Sequence, residues 1–149
     1  MKWFRDDGCL TDQATITMSE CACVLQYAQT CFEGLKAYRR ADGRVQLFRP
    51  MENIRRMNRS AERLCLPQIP EEDALNALVT FVRCEQDWTP SAPGTSLYLR
   101  PFMFGNDESL GVHAVHNATF VIIASPVGSY YKEGLNPVKI MIEDQDVRA

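Results

Sequence analysis

Residues 31–50 read CFEGLKAYRRADGRVQLFRP and contain the clearest local folding signal in the chain. Two alternating segments, 32–40 and 44–48, lie on either side of a turn that includes Asp42 and Gly43. An Asp-Gly pair between alternating runs is typical of a β-hairpin, because both residues tolerate the backbone angles of a tight turn. The stretch therefore predicts an antiparallel pair of strands, and the rest of the fold is built outward from it.

Pro50 follows the hairpin and suits the first turn of a helix, where its missing N–H needs no helical partner. The residues after it place apolar side chains at helical spacing as far as Pro67. A second helix is predicted from Glu71, because the acidic residues there complement the positive end of the helix dipole. The remaining regular segments are predicted strands, at residues 14–18, 96–104, 117–127 and 136–144.

Pro101 lies inside the predicted strand 96–104 and has no N–H, which predicts an edge strand or a bulge at this point. The elements follow one another as a strand, a hairpin, two helices and three strands, so helices and strands are segregated. This order predicts an α+β fold, a mostly antiparallel sheet with two helices packed on one face. The 149 residues are about one domain's worth.

The composition is that of an ordinary globular protein, with 46% hydrophobic and 23% charged residues. A net charge of −3 gives no basic surface signature for nucleic acid. No run approaches the ~18 apolar residues of a membrane span, and the first residues resemble neither a secretory nor a transit peptide. We therefore expect a cytoplasmic protein that binds neither nucleic acid nor a membrane.

The six cysteines are expected to be free and mostly buried, because the sequence contains no C-x-x-C pair. The histidines, His113 and His116, stand far from any cysteine, so neither a metal site nor a disulfide is predicted. Both lie in a predicted loop, where a histidine is usually a solvated residue rather than a catalytic base.

Four features are unusual for a plain α+β domain. Arg100 lies inside a strand on the same face as Tyr98, where it either extends to water or binds a carboxylate with its planar fork. Arg56 lies on a basic helix face, which in most helices faces water. Gly34 in a strand indicates a bend or a close approach, and the turn at residues 125–134 carries two tyrosines.

Taken together and in order, these segments resemble the branched-chain amino acid aminotransferases, which are fold-type IV pyridoxal phosphate enzymes. The motifs that carry the resemblance are FEGLKAYR, QLFRP, RMNRSAERL, GTSLYLRP, SLGV, IIASPVG and NPVKI. The resemblance implies that residues 1–149 are an N-terminal small domain that precedes a larger cofactor-binding domain. It also implies a homodimer that uses pyridoxal 5'-phosphate to move an amino group between leucine, isoleucine or valine and 2-oxoglutarate, with glutamate as the product.

By the same resemblance, Arg56 falls on the arginine that contacts the cofactor phosphate. Six positions fall on substrate-binding residues: Phe32, Tyr98, Arg100, Leu110, Val112 and Tyr130. Phe32 would line the apolar side-chain pocket, and Arg100 would hold the distal carboxylate of glutamate or 2-oxoglutarate. The loop with Leu110 and Val112 would reach into the neighbouring subunit's pocket.

The lysine that forms the Schiff base in the family matches none of the four lysines here, which are Lys2, Lys36, Lys132 and Lys139. No catalytic residue is therefore expected in this chain, which by itself is expected to be inactive. Three interpretations stay open: a fragment of the enzyme, a stand-alone binding domain, or another fold-type IV enzyme such as a D-amino acid transaminase or aminodeoxychorismate lyase. The first is favoured, and GTSLYLRP and SPVG argue against the third.

Overall fold

The structure is a computed structural model that describes residues 3–4, 10–11, 15–131, 134 and 136–146. Its helices are α1 (Cys23–Tyr27), α2 (Pro50–Arg63) and α3 (Glu71–Cys84), followed by a short 3-10 helix (Gln86–Trp88). Its strands are β1 (Trp3–Phe4), β2 (Leu10–Thr11), β3 (Thr30–Phe32), β4 (Leu35–Arg39), β5 (Val45–Leu47), β6 (Ser96–Gly105) and β7 (Ala118–Val127).

Strand β6 is the centre of a five-stranded antiparallel sheet. One edge of β6 pairs with β7 along its whole length, from Ser96 opposite Val127 to Gly105 opposite Ala118. The other edge pairs with β3 towards one end and with β4 towards the other, and β5 lies outside β4. Strands β1 and β2 form a separate pair. The predicted α+β class is confirmed.

Helices α2 and α3 cover one face of this sheet. Met57 and Ala61 of α2 pack over β3 and β6, while Leu78 and Val82 of α3 pack over β4 and β6. The buried sheet residues that face the helices are Cys31, Leu35, Ala37, Leu97, Leu99 and Met103. Because burial of apolar surface is the main driving force of folding, this helix-to-sheet layer fixes which face of the sheet stays uncovered.

Pro101 lies in the middle of the central strand, and the pairing with β7 continues through it without a bulge, so the predicted edge position or bulge is wrong. Its carbonyl accepts a hydrogen bond from the backbone N–H of Glu33 at 2.9 Å. The backbone of Pro101 therefore faces Glu33, which lies between β3 and β4 in the register that both strands share with β6. Proline has no N–H to complete this pair, so one ladder hydrogen bond is absent where β3 ends and β4 has not yet begun.

Two predicted strands do not form. Residues 15–18 and 136–144 have no regular secondary structure, and residue 14 lies outside the described residues. An alternating pattern becomes a strand only where it pairs with a neighbouring strand. Within the described part of the chain, neither segment pairs with a strand of the sheet.

The five described cysteines are free, whereas Cys9 lies outside the described residues. Cys23 and Cys31 are buried in the core, but Cys65 and Cys84 are exposed, so the prediction of mostly buried thiols is wrong. The two exposed thiols lie at helix ends: Cys84 is the last residue of α3, and Cys65 follows α2 with a φ of 54°.

Candidate active-site face

The face of the sheet that the helices leave uncovered, which we call the open face, carries Phe32, Tyr98 and Arg100. Each of them alternates along its strand with a residue that points to the helices. The guanidinium carbon of Arg100 lies 4.5 Å from the centre of the Phe32 ring and 5.4 Å from that of Tyr98. Its Nη2 donates a hydrogen bond to the Tyr98 hydroxyl at 3.1 Å. The three side chains thus form one cluster, with a cation over two aromatic rings.

This cluster can receive a ligand. Phe32 is 58% exposed, and Tyr98 and Arg100 are half-buried. The ion pairs found among the described residues do not involve Arg100. An apolar surface beside an arginine that is not paired with a carboxylate of the described chain suits a molecule with both an apolar part and an acid group.

Gly34 lies at the break between β3 and β4, where the backbone crosses the end of Tyr98. A Cβ atom at this position would overlap the Tyr98 hydroxyl, so the chain passes this closely because the residue is glycine. The predicted close approach at Gly34 is confirmed. The first strand of the predicted hairpin corresponds to β3 and β4, and β5 pairs with its β4 part.

Glu33 lies between Phe32 and Gly34 and directs its carboxylate to the helix side of the sheet, where α2 binds it. Arg56 donates from Nε to Oε1 at 2.5 Å and from Nη2 to Oε2 at 2.6 Å. Asn53 Nδ2 donates to Oε2 at 3.0 Å. The Glu33 side chain is 5% exposed and that of Arg56 is 60% exposed, so a buried carboxylate anchors an accessible arginine.

The charges of this pair stabilise each other. Burial of Glu33 opposes its ionisation, but the hydrogen bonds from Arg56 and Asn53 and the charge of Arg56 outweigh it, so its pKa is lowered. The hydrogen bond to Glu33 and its negative charge raise the pKa of Arg56. Glu33 uses Nε and one N–H of Nη2, which leaves Nη1 and the other N–H of Nη2 able to bind an anion.

Residues 32–34 therefore connect the predicted substrate and cofactor residues. Phe32 contacts Arg100 on the open face, and Gly34 lies against Tyr98. The residue between them, Glu33, holds Arg56 on the helix side. Three consecutive residues thus fix the relative positions of side chains that belong to different elements.

Leu110, Val112 and Tyr130 do not join this cluster. Leu110 and Val112 lie in the loop between β6 and β7, and each is 78% exposed. Tyr130 follows β7, is 87% exposed and contacts the ring of Tyr131 edge-on at 4.8 Å. The loop follows the Gly105 end of β6 while β7 ends opposite Ser96, so the structure places the loop and Tyr130 at opposite ends of the strand pair.

The loop between β6 and β7 is organised by Asp107, which the sequence did not single out. Its carboxylate accepts hydrogen bonds from the backbone N–H groups of His116 at 2.8 Å and Asn117 at 2.7 Å. His113 Nε2 lies 3.2 Å from Oδ2, and His113 Nδ1 lies 2.8 Å from the carbonyl of Gly111. His113 is therefore held on both ring nitrogens, and the prediction of a simply solvated side chain is wrong for it.

These contacts shift two pKa values. The backbone hydrogen bond from His116, with further ones from Asn117 and His113, holds the pKa of Asp107 well below its ordinary value. The hydrogen bond to the Gly111 carbonyl raises the pKa of His113, and Asp107 adds to this rise. Both shifts favour the charged forms, so Asp107 and His113 attract each other across the loop.

Among solved structures with this fold are two branched-chain aminotransferases. That of Thermoproteus uzoniensis with norvaline has a TM-score of 0.69 at 26% identity, and the match covers 85% of this chain and 41% of that chain. The T.th. enzyme with pyridoxamine 5'-phosphate has a TM-score of 0.67 at 27% identity, and the match covers 85% of this chain and 40% of that chain. The fold is therefore shared with part of this class of aminotransferase.

Sequence relatives give the same answer. Branched-chain-amino-acid aminotransferase 2 of Bacillus subtilis (strain 168) is 53% identical over 134 residues, which are 90% of this chain and 37% of that protein. The branched-chain-amino-acid aminotransferase of Dictyostelium discoideum is 40% identical over 153 residues, covering 100% of this chain and 40% of that protein. This chain is thus a homologue of the branched-chain-amino-acid aminotransferases, which confirms the resemblance carried by its motifs.

The homology covers part of each relative, because the chain spans about two fifths of the length of the curated relatives it matches. No protein-family model matches the chain. No helix in the part of the chain that the structure describes is both long and apolar enough to cross a membrane.

Proposed function

We propose that this chain is the small domain of a pyridoxal phosphate-dependent branched-chain amino acid aminotransferase. In this proposal the complete protein transfers an amino group between leucine, isoleucine or valine and 2-oxoglutarate. A second domain supplies the lysine and most of the cofactor contacts, and the open face supplies one wall of the substrate pocket. The homologues at 40–53% identity support this function over a stand-alone binding domain or another fold-type IV activity.

One observation carries the proposal: the stacking of Arg100 against Phe32 and Tyr98 on the open face. A branched-chain transaminase must accept two kinds of substrate in one pocket, an aliphatic side chain and the side-chain carboxylate of glutamate. Phe32 offers an apolar wall to the first. Arg100 offers two N–H groups in a planar fork to the second, because its contact with Tyr98 uses Nη2 alone.

The position of Arg100 also explains how the pocket could serve both substrates. Its charge is delocalised over a planar group that lies against aromatic rings, and such a group is weakly hydrated. The stacked guanidinium therefore costs the apolar wall little when leucine is bound. When 2-oxoglutarate is bound, the same group forms a charge-assisted hydrogen bond with the distal carboxylate.

Arg56 fits the role of a phosphate ligand for the cofactor. Its side chain is 60% exposed, its orientation is fixed by Glu33, and Nη1 points to no hydrogen-bond acceptor among the described residues. Pyridoxal phosphate, when bound, would supply the electron-withdrawing ring for amino-group transfer. Arg56 would hold the phosphate end and leave that chemistry to groups outside the described residues.

The remaining predicted residues belong to the assembled enzyme. Leu110 and Val112 are exposed on their loop, as expected for side chains that enter a neighbouring subunit's pocket, and Tyr130 is exposed as well. We assign these three residues to the substrate site of a homodimer, and the enzyme to the cytoplasm. These assignments rest on the resemblance to the family.

The role of Arg100 is tested in the complete enzyme with the substitution Arg100→Ala. Loss of a hydrogen bond to a charged group, worth ~1.5–3 kcal/mol, predicts an increase of about 10- to 100-fold in the KM for 2-oxoglutarate. The KM for leucine should change much less, because leucine has no second carboxylate. Arg83→Ala, which removes an exposed arginine from α3, is the control and should change neither value. Equal losses for both substrates would contradict the role.

The role of Arg56 is tested by cofactor retention. Arg56→Ala should release pyridoxal phosphate from the complete enzyme during dialysis, measured by the visible absorbance of the cofactor. Arg59→Ala, on the same helix and exposed, is the matched control and should retain it. Unchanged retention in the Arg56 variant would rule out the proposed phosphate contact and leave the Arg100 assignment standing.

A further inference from the structure

A second group of ionisable side chains lies away from the open face, in the loop between β6 and β7. Asp107, His113 and His116 each present one possible metal-ligand atom, and these three atoms all lie within 4.8 Å of one another. We propose that they form a binding site for a divalent transition-metal ion of the zinc type, and that the bound ion fixes this loop. The proposal is independent of the transaminase activity.

The spacing of the three atoms suits such an ion. Zinc binds nitrogen and oxygen at ~2.0–2.2 Å in a tetrahedral arrangement, which separates neighbouring ligand atoms by roughly 3.3–3.5 Å. Asp107 Oδ2 lies 3.2 Å from His113 Nε2 and 3.4 Å from His116 Nδ1. Two of the three ligand-to-ligand distances are therefore close to the required length. The third, between the two histidine nitrogens, is within 4.8 Å, and the His116 side chain is 82% exposed and so has room to move towards an ion.

Two of the ligands are already oriented by hydrogen bonds with backbone groups. The carbonyl of Gly111 can only accept, so the proton of His113 lies on Nδ1, and Nε2 is directed to Asp107. Metal-bound histidines usually donate their second ring N–H to a carbonyl or carboxylate in this way. Asp107 is fixed by the backbone N–H groups of His116 and Asn117.

The charges and valences of the site are balanced. When His113 is charged, a proton lies between Nε2 and Asp107, and a metal ion that takes this place releases that proton to the solvent. Two neutral imidazoles and one carboxylate then leave the divalent ion with a net charge of +1. A water molecule takes the fourth position, as is usual where a protein supplies three ligands.

The consequence concerns the loop itself. Asp107 lies at its beginning and His116 near its end, so an ion bound to both closes the segment that carries Leu110 and Val112. These two side chains are 78% exposed and gain no support from the core. A bound ion would restrict the loop without contacting either side chain.

The test begins with the complete protein, stripped of metal with a chelator that is then removed. Zinc chloride is titrated into it, and binding is measured by calorimetry. The expected result is one zinc ion per chain at this site, with the affinity lowered at least about tenfold by His116→Ala and by His113→Ala. Glu108→Gln removes the adjacent exposed carboxylate and is the matched control, which should leave the affinity unchanged. Hydrogen exchange at residues 108–114 should slow when zinc is added to the unaltered protein.

His116→Ala decides the test if His113→Ala fails to fold, because the exposed His116 side chain contributes little to the fold. Its thermal unfolding without zinc should match that of the unaltered protein. Two results would overturn the proposal: no saturable binding at about 100 µM zinc, or equal zinc affinity in the unaltered protein and the His116 variant. Zinc bound by thiols would give the second result.

Discussion

The pairing of Glu33 with Arg56 leads to a prediction for the substitution Glu33→Gln. The variant keeps the shape of the side chain and removes its charge. A glutamine amide has one acceptor oxygen, whereas the carboxylate accepts from Arg56 Nε at one oxygen and from Arg56 Nη2 and Asn53 Nδ2 at the other. In either orientation the amide N–H₂ group therefore faces a donor, and at least one hydrogen bond from Arg56 is lost.

The magnitude follows from the burial of the two partners. A hydrogen bond to a charged group contributes ~1.5–3 kcal/mol. Arg56 is 60% exposed and can bind water instead, so the cost of losing its hydrogen bond to Glu33 is at the lower end of that range. The new amide stays in the buried position of Glu33 and keeps a donor without an acceptor. We expect Glu33→Gln to lower the free energy of unfolding by about 2 kcal/mol at pH 7.

Urea unfolding followed by circular dichroism measures this change. Glu62→Gln, which alters an exposed carboxylate near the end of α2, is the matched control and should change stability by less than ~0.5 kcal/mol. The pKa of Glu33 is lowered in the folded protein, so its contribution is present above the unfolded pKa of about 4.3 and is lost as the pH falls through the lower folded value. The difference between the two proteins should therefore shrink below about pH 4. A difference under ~0.5 kcal/mol at pH 7 would refute the proposed anchoring.

Three further predictions concern the backbone and the loop. Ala28 has a left-handed backbone conformation, with φ 51° and ψ 35°, which glycine adopts without strain. Ala28→Gly should therefore raise the free energy of unfolding by about 0.5–1 kcal/mol. Ala77→Gly, inside α3, is the control and should lower it by about 1 kcal/mol; thermal unfolding measures both. Gly34→Ala adds a methyl group that overlaps the Tyr98 hydroxyl, and urea unfolding should show a loss of about 1–3 kcal/mol; an unchanged midpoint would contradict the close approach. Asp107→Asn should lower the free energy of unfolding at pH 7. Because the pKa of Asp107 is lowered in the folded protein, the difference between the two proteins should shrink as the pH falls below about 4. A difference that stays constant from pH 7 to pH 2 would exclude the ionised carboxylate as its source.

The sequence predicts the parts of the fold that local signals control. The Asp42-Gly43 turn forms the hairpin, with Gly43 at φ 83° as such a turn requires. Pro50 is the first residue of α2, and the acidic residues from Glu71 begin α3. Each of these signals acts within one turn of the backbone, so its effect does not depend on what the rest of the chain does.

The errors arise where pairing decides the structure. Residues 136–144 alternate like a strand, yet a strand requires a neighbouring edge, and pattern alone does not provide one. Pro101 looks like an edge residue, yet it lies in the central strand opposite Glu33, and the register of β3 and β4 with β6 continues past the missing N–H. Both errors have the same origin, because each outcome depends on a partner strand that lies elsewhere in the sequence. For Pro101 that partner is about seventy residues away.

The candidate site divides in the same way. Strand alternation is enough to place Tyr98 and Arg100 on one face, and it also makes the open face predictable. The contact between Phe32 and Arg100 needs the register between β3 and β6, which no local pattern specifies. The Asp107 loop was missed for a similar reason, because its contacts join a carboxylate to backbone N–H groups nine and ten residues later.

Ordinary strand alternation explains why residues 32–34 combine an aromatic, an acidic and a glycine residue. Strands β3 and β4 pair with β6 in one register, so the alternation continues across the residues between them. It places Phe32 and Gly34 on the open face, beside Arg100 and Tyr98. Glu33 lies on the helix face, where Arg56 satisfies its buried carboxylate. Glu33→Gln should therefore weaken cofactor retention in the complete enzyme through Arg56, while leaving the Arg100 cluster on the opposite face in place.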